Sequence, residues 1–124
     1  GESDDYANIY RSNSNLGGTS LILSNERYNE AQLKMITLFS FVVNKNIKNI
    51  DAIKIDIEGY EDRALDCFFR KAPKELFPKI IIIEHTSSKD WFTNIINDMV
   101  NYYGYYIICK TRSNSILELR YLEN

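Results

Sequence analysis

Ala52-Ile-Lys-Ile-Asp-Ile-Glu-Gly-Tyr-Glu61 is the stretch on which the reading of this chain turns. Ile53, Ile55 and Ile57 alternate with Lys54 and Asp56, which is the two-residue period of a strand. Gly59 breaks the alternation. Residues 60–72 then place Ala64, Leu65, Phe68, Phe69 and Ala72 at helical spacing. Pro73 and Pro78 bracket the exit. Residues 79–84, Lys-Ile-Ile-Ile-Ile-Glu, are apolar without alternation, as expected of a strand covered on both faces of a parallel sheet.

Working outward, Ser87-Ser-Lys-Asp90 has the pattern of a capping box. It precedes an apolar stripe of Trp91, Phe92, Ile95, Ile96, Met99, Val100 and Tyr103, expected to be core and ended by Gly104. Residues 105–110 read as a strand that Arg112-Ser-Asn-Ser115 turns back into residues 116–122, an antiparallel hairpin. Upstream, residues 1–15 are polar and read as loop. Residues 20–23 read as a strand. Residues 33–38 read as a second strand followed by a short helix over 39–46, with one helix over 30–43 as the alternative. The order β-β-α-β-α-β-α-β-β is that of an α/β layered domain.

The bulk composition bounds what the chain does. Its 124 residues are 44% hydrophobic and 26% charged, enough for one domain with a core. The net charge of −2 and the lack of a basic stripe argue against a nucleic acid partner. No apolar run is long enough to span a bilayer and no leader is evident, so a cytoplasmic protein is expected. Cys67 and Cys109 lack metal-type spacing and read as buried free thiols of a reducing compartment. The opening Gly1 suits a piece of a longer protein, and the abundant Ile, Asn and Lys suit an AT-rich bacterial genome.

Ligands of open α/β sheets bind beyond the carboxyl ends of the strands. Two acidic clusters fall there: Asp56, Glu58 and Glu61 after one strand, and Glu84 with His85, the only histidine, after the next. Asp56 or Glu58 would contact an acceptor hydroxyl or a metal; the plainer account pairs Asp56 with Lys54 and leaves Glu58 to the helix dipole. His85 is either a proton-transfer base or a hydrogen-bonded structural residue. Glu61 and Asp62 read as solvated first-turn residues. Tyr102, Tyr103, Tyr105 and Tyr106 read as packing at a helix end. A magnesium-dependent hydrolase using Asp56, Glu58 and Glu84 is a weaker possibility.

The stretch Ile50-Asp-Ala-Ile-Lys-Ile-Asp-Ile-Glu-Gly-Tyr-Glu61, with Leu65 after it, resembles the hallmark of FkbM-type methyltransferases. Pro78-Lys-Ile-Ile-Ile-Ile-Glu84 is similar to that family's next strand, and Gly18-Thr-Ser-Leu21 and Thr37-Leu38 to its segments upstream. Phe39 departs from the Asp the family usually places there. The likeness covers roughly residues 15–90. It implies a Rossmann-like class I methyltransferase fold with strand order 3-2-1-4-5-7-6, and methyl transfer from S-adenosylmethionine to hydroxyls of small molecules or glycans. On this likeness Asp56, Glu58 and His85 are the catalytic candidates, Glu61 and Glu84 face the acceptor, Gly59 lies on the cofactor side, and no metal is required.

Such folds bind the cofactor with a glycine-rich turn between the first strand and helix. The five glycines, at 1, 17, 18, 59 and 104, form no Gly-x-Gly turn. The expectation is therefore the C-terminal half of the fold: a mixed sheet with helices and a terminal antiparallel hairpin, a polar segment over residues 1–15, and a partial methyltransferase domain over 16–124 that binds no cofactor alone. A folded, non-catalytic interaction module is the alternative. Lacking a first strand, residues 52–57 would expose an edge, which either the N-terminal segment or a second copy of the chain would cover.

Overall fold

The computed structural model describes residues 6–13, 18–24, 31–34 and 38–120. Among these residues seven strands and three α-helices follow one another as β1 (Tyr6–Asn13), β2 (Thr19–Ser24), β3 (Ala31–Lys34), α1 (Leu38–Asn44), β4 (Ala52–Asp56), α2 (Glu61–Lys71), β5 (Ile80–Glu84), α3 (Ile95–Tyr102), β6 (Tyr105–Lys110) and β7 (Asn114–Leu119). They form a single mixed sheet in the order β3-β1-β2-β4-β5-β7-β6. β2, β4 and β5 are parallel neighbours, and β7 runs antiparallel to both β5 and β6.

Register explains the core. Leu21, Ile53, Ile81 and Leu117 stand side by side across four strands, as do Leu23, Ile55 and Ile83 one step along. All seven are buried, in one cluster with Val42 of α1, Leu65 and Phe68 of α2, and Ile95 and Met99 of α3. The helices therefore lie together on this face. The reason is chiral: β2 to β4, β4 to β5 and β5 to β6 all step the same way along the sheet, and right-handed crossovers put all three helices on one side. The opposite face carries Ile22, Lys54, Ile80, Ile82 and Ile116, none of them fully buried. β5, expected to be covered on both faces, is thus closed on one face and only half-buried on the other.

Other elements also differ from the sequence reading. Residues 6–13, read as loop, form β1, which pairs with β2 on one side and β3 on the other. Its sequence gives little local signal, and two ladders of backbone hydrogen bonds together with buried Ile9 hold it. β3 stops at Lys34 and α1 begins at Leu38; residues 35–37 of the expected strand, like 121–122 of the last strand, lie outside the described residues. α1 ends at Asn44, two residues early, because Asn46 takes a left-handed conformation (φ 56°) that asparagine tolerates. The helix expected behind Asp90 begins only at Ile95. Ser87 makes no capping bond, Ser88–Asp90 is one tight turn, and Asn94 is the cap, its side chain accepting from Asn97 N–H at 3.2 Å. Phe92 and Val100 of the supposed core stripe are exposed.

β2 occupies the side of β4 expected to be bare, so β4 offers no edge to a second copy. Asp51 fastens the start of this join. Its N–H donates to Thr19 O (2.8 Å), its carboxylate accepts from Thr19 N–H (2.7 Å), and Lys79 Nζ lies 3.3 Å away. Among the described residues no helix is long and apolar enough to cross a membrane.

Candidate functional site

The site forms where β4 and β5 end. After Asp56 the chain turns through Ile57-Glu58-Gly59-Tyr60, with Tyr60 N–H donating to Ile57 O at 3.4 Å. Both central residues have positive φ, 50° at Glu58 and 97° at Gly59. Gly59 adopts this freely; Glu58 does so at a cost of about 1–2 kcal/mol. A Cβ on Gly59 would also meet Asp90 Cβ at 3.3 Å, so the segment after β5 lies directly on this turn.

Glu61 holds the turn. Its Oε2 accepts from Ile57 N–H (2.8 Å), and its Oε1 from Gly59 N–H (2.9 Å) and from the Trp91 indole N–H (3.0 Å). It is 0% exposed, and Asp62 beside it is 1% exposed. The solvated first turn read from the sequence is therefore wrong for both. Asp62 Oδ2 accepts from Phe92 N–H (2.8 Å) and Thr93 N–H (3.1 Å), fixing the segment that leads into α3. Backbone donors at a strand end that the sheet cannot satisfy must find acceptors, and the first acids of the next helix supply them. That rule was the available signal; Trp91 had none.

Asp56, Glu61 and Glu84 converge, each with a carboxylate oxygen within 4.8 Å of the others. Asp56 is exposed and Glu84 half-buried. Glu84 Oε1 accepts from Thr86 N–H at 2.7 Å and from the Thr86 hydroxyl. Carboxylates this close repel by roughly 1–3 kcal/mol per pair, so the cluster favours a cation or a hydrogen-bond donor between them. Glu58 sits exposed on the turn rather than in the trio. Among the described residues no ion pair joins exposed Lys54 to Asp56.

His85 is held at both nitrogens. Nε2 lies 3.1 Å from Arg112 O, which only accepts, so Nε2 carries the proton; Nδ1, 2.9 Å from Ser115 Oγ, then accepts from that buried hydroxyl. Arg63 is sandwiched between the rings of Tyr60 (4.4 Å) and Phe92 (3.7 Å). Tyr103 packs on Phe69 at 4.5 Å and Tyr105 is buried, as expected of the tyrosine cluster, while Tyr102 and Tyr106 are exposed.

A mixed sheet whose parallel strands β2, β4 and β5 are flanked by the reversed strands β1 and β7, with acids gathered at the strand ends, makes an α/β domain compatible with the methyltransferase fold. Within that class the assignment is direct: the family model of the methyltransferase FkbM domain matches residues 1–112, and the chain belongs to that family. No curated protein and no solved structure matched it.

The family implies S-adenosylmethionine. The described residues do not fit it. The strand beside β4, β2, is followed among the described residues by β3 of an antiparallel ladder, and the sequence between them contains no glycine. A nucleotide cradle needs a strand, a glycine turn and a helix N-terminus in sequence. Gly59, the one glycine at the rim, has its open side filled by Asp90.

Proposed function

We propose that this chain forms the acceptor side of an S-adenosylmethionine-dependent O-methyltransferase of FkbM type, the C-terminal half of its Rossmann-like fold, and transfers no methyl group alone. The observation that carries the reading is the carboxylate trio of Asp56, Glu61 and Glu84 at the ends of adjacent parallel strands. Asp56 is the exposed member and is assigned the proton of an acceptor hydroxyl. Glu84 orients that hydroxyl, while Glu61, saturated by three donors, fixes the turn on which the trio stands. Glu58, strained and exposed beside Asp56, is placed to contact the acceptor, and its backbone strain fits a residue kept for function. His85 serves as base only after releasing Ser115. The acceptor is a small molecule or glycan hydroxyl, and two cysteines that form no disulfide, Cys67 half-buried and Cys109 exposed rather than buried as expected, suit the cytoplasm.

One observation favours a second reading, a non-catalytic interaction module. The sheet face bearing Ile22, Ile82 and Ile116 has no helix over it among the described residues, and a packed layer there would complete the usual architecture. Calorimetric titration with S-adenosylmethionine tests the shared claim of both readings. No heat above buffer is expected; micromolar binding would overturn it and make the chain a cofactor-binding enzyme in its own right.

A further inference from the structure

Beside the carboxylate rim lies a cavity of about 490 Å³, between the segment entering α3 and the β6–β7 hairpin. Among the described residues its lining includes His85, Trp91, Phe92, Asn94, Asn97 and Lys110, and no carboxylate. We propose that this cavity is the acceptor site and that it takes a polyhydroxylated ring carrying an anionic group, stacked on Trp91 with its anion at Lys110. The inference rests on the methyltransferase reading only for the word acceptor; the binding itself requires no cofactor.

Three observations point to this ligand. Trp91, the only tryptophan, has its indole N–H tied to buried Glu61 at 3.0 Å, so the orientation of its ring is fixed before any ligand arrives. A preset aromatic face lowers the ordering cost of stacking a ring on it. Phe92 beside it is 79% exposed, an expensive placement for phenylalanine, yet it is braced by Arg63 underneath and by Asp62 at its backbone N–H. A rigid, exposed aromatic next to a rigid tryptophan is a wall built for contact.

Charge and hydrogen bonding select within ring ligands. Among the described residues Lys110 is the one full cation in the lining, and no acid there opposes it. Asn94 spends its side-chain oxygen on Asn97 N–H, which leaves its amide N–H₂ to donate, and Asn97 adds a second amide. Donors of this kind suit hydroxyls and a carboxylate or phosphate alike. The link to the rim is short: Trp91 bonds Glu61, and His85 follows Glu84 directly.

Trp91 is a unique fluorophore and reports on the cavity without any activity assay. Its emission is followed on the full chain during titration with glucuronate, glucose 6-phosphate and glucose, with the indole N–H resonance as a second readout. Both anions are expected to saturate the signal, about tenfold tighter than glucose. A response to only one anion identifies carboxylate or phosphate as the source. Lys110→Gln, an exposed substitution, should remove that tenfold preference and leave the glucose response in place. Equal affinity for glucose, an undiminished preference in Lys110→Gln, or no response in either readout would each overturn the proposal. Loss of this binding leaves the cofactor titration untouched, and cofactor binding by the chain leaves this titration untouched, so the two readings fail separately.

Discussion

Among the residues, Glu61 has most to lose. Three donors converge on its carboxylate inside the protein, and its removal strands two backbone N–H groups and an indole. Glu61→Ala should cost roughly 3 kcal/mol in urea unfolding and shift Trp91 emission to the red as the indole is freed. A loss under about 1 kcal/mol would show that water replaces the carboxylate, and the turn would not be its work. Asp51 makes the pH-dependent case. The Thr19 N–H, and then Lys79, hold its carboxyl below the ordinary value of 3.8. Between the lowered and the ordinary value the unfolded chain binds the proton and the folded chain does not. Its contribution is thus full above about pH 4 and fades as pH falls through the lowered value. Asp51→Asn should be less stable than the parent near neutrality, and the gap should narrow in acid urea titrations. A gap constant with pH would rule this carboxylate out. That Asp56 and Glu84 end neighbouring strands was legible, because each closes an apolar strand directly. The burial of Glu61 and Asp62 was not, since a charged first turn looks the same in sequence whether its acids face water or unsatisfied N–H groups.

The elements were legible where periodicity and a break agree, and obscure elsewhere. β4, α2, β5 and the hairpin carry alternation, helical spacing, proline brackets or a turn cluster, and each formed close to its expected range. α3 shows how a pattern misleads. Trp91 and Phe92 continue its apolar stripe backward at helical spacing, but they belong to the extended segment pinned by Asp62, and the hydroxyl at Ser87 caps nothing. Capping chemistry separates the two versions. Asn94→Ala should lower stability by about 1 kcal/mol, read as a drop in Tm, whereas Ser87→Ala should leave Tm unchanged. The reverse result would restore the longer helix. β1 was invisible for the opposite reason: a strand held by two flanking ladders needs no apolar pattern of its own.

At the scale of the molecule, the sheet divides into two kinds of pairing. β4, β5, β7 and β6 stand in the order expected from the sequence, and β2, β1 and β3 fill the other side, β2 parallel to β4 and β1 antiparallel to both of its neighbours. Sequence could place the first set, since each member carries its own signal. It could not place the second, whose position depends on what the edge of β4 requires. That requirement makes a final prediction. Leu21 and Leu23 are fully buried in β2, and β1 is what satisfies the outer hydrogen-bonding edge of that strand. Deleting residues 1–17 removes β1 and leaves a flat, apolar, parallel-sheet strand with its N–H and C=O groups bare, the geometry that templates edge-to-edge association. The shortened chain should sediment as concentration-dependent oligomers under conditions where the full chain does not. Adding a charge at the new edge, Ile22→Lys on the half-buried face, should restore the smaller species without repairing the missing ladder. If the truncated chain instead sediments as a monomer with an unchanged Tm, β1 contributes nothing to the sheet, and the edge of β4 and β2 is protected by some other means than the one the strand order implies.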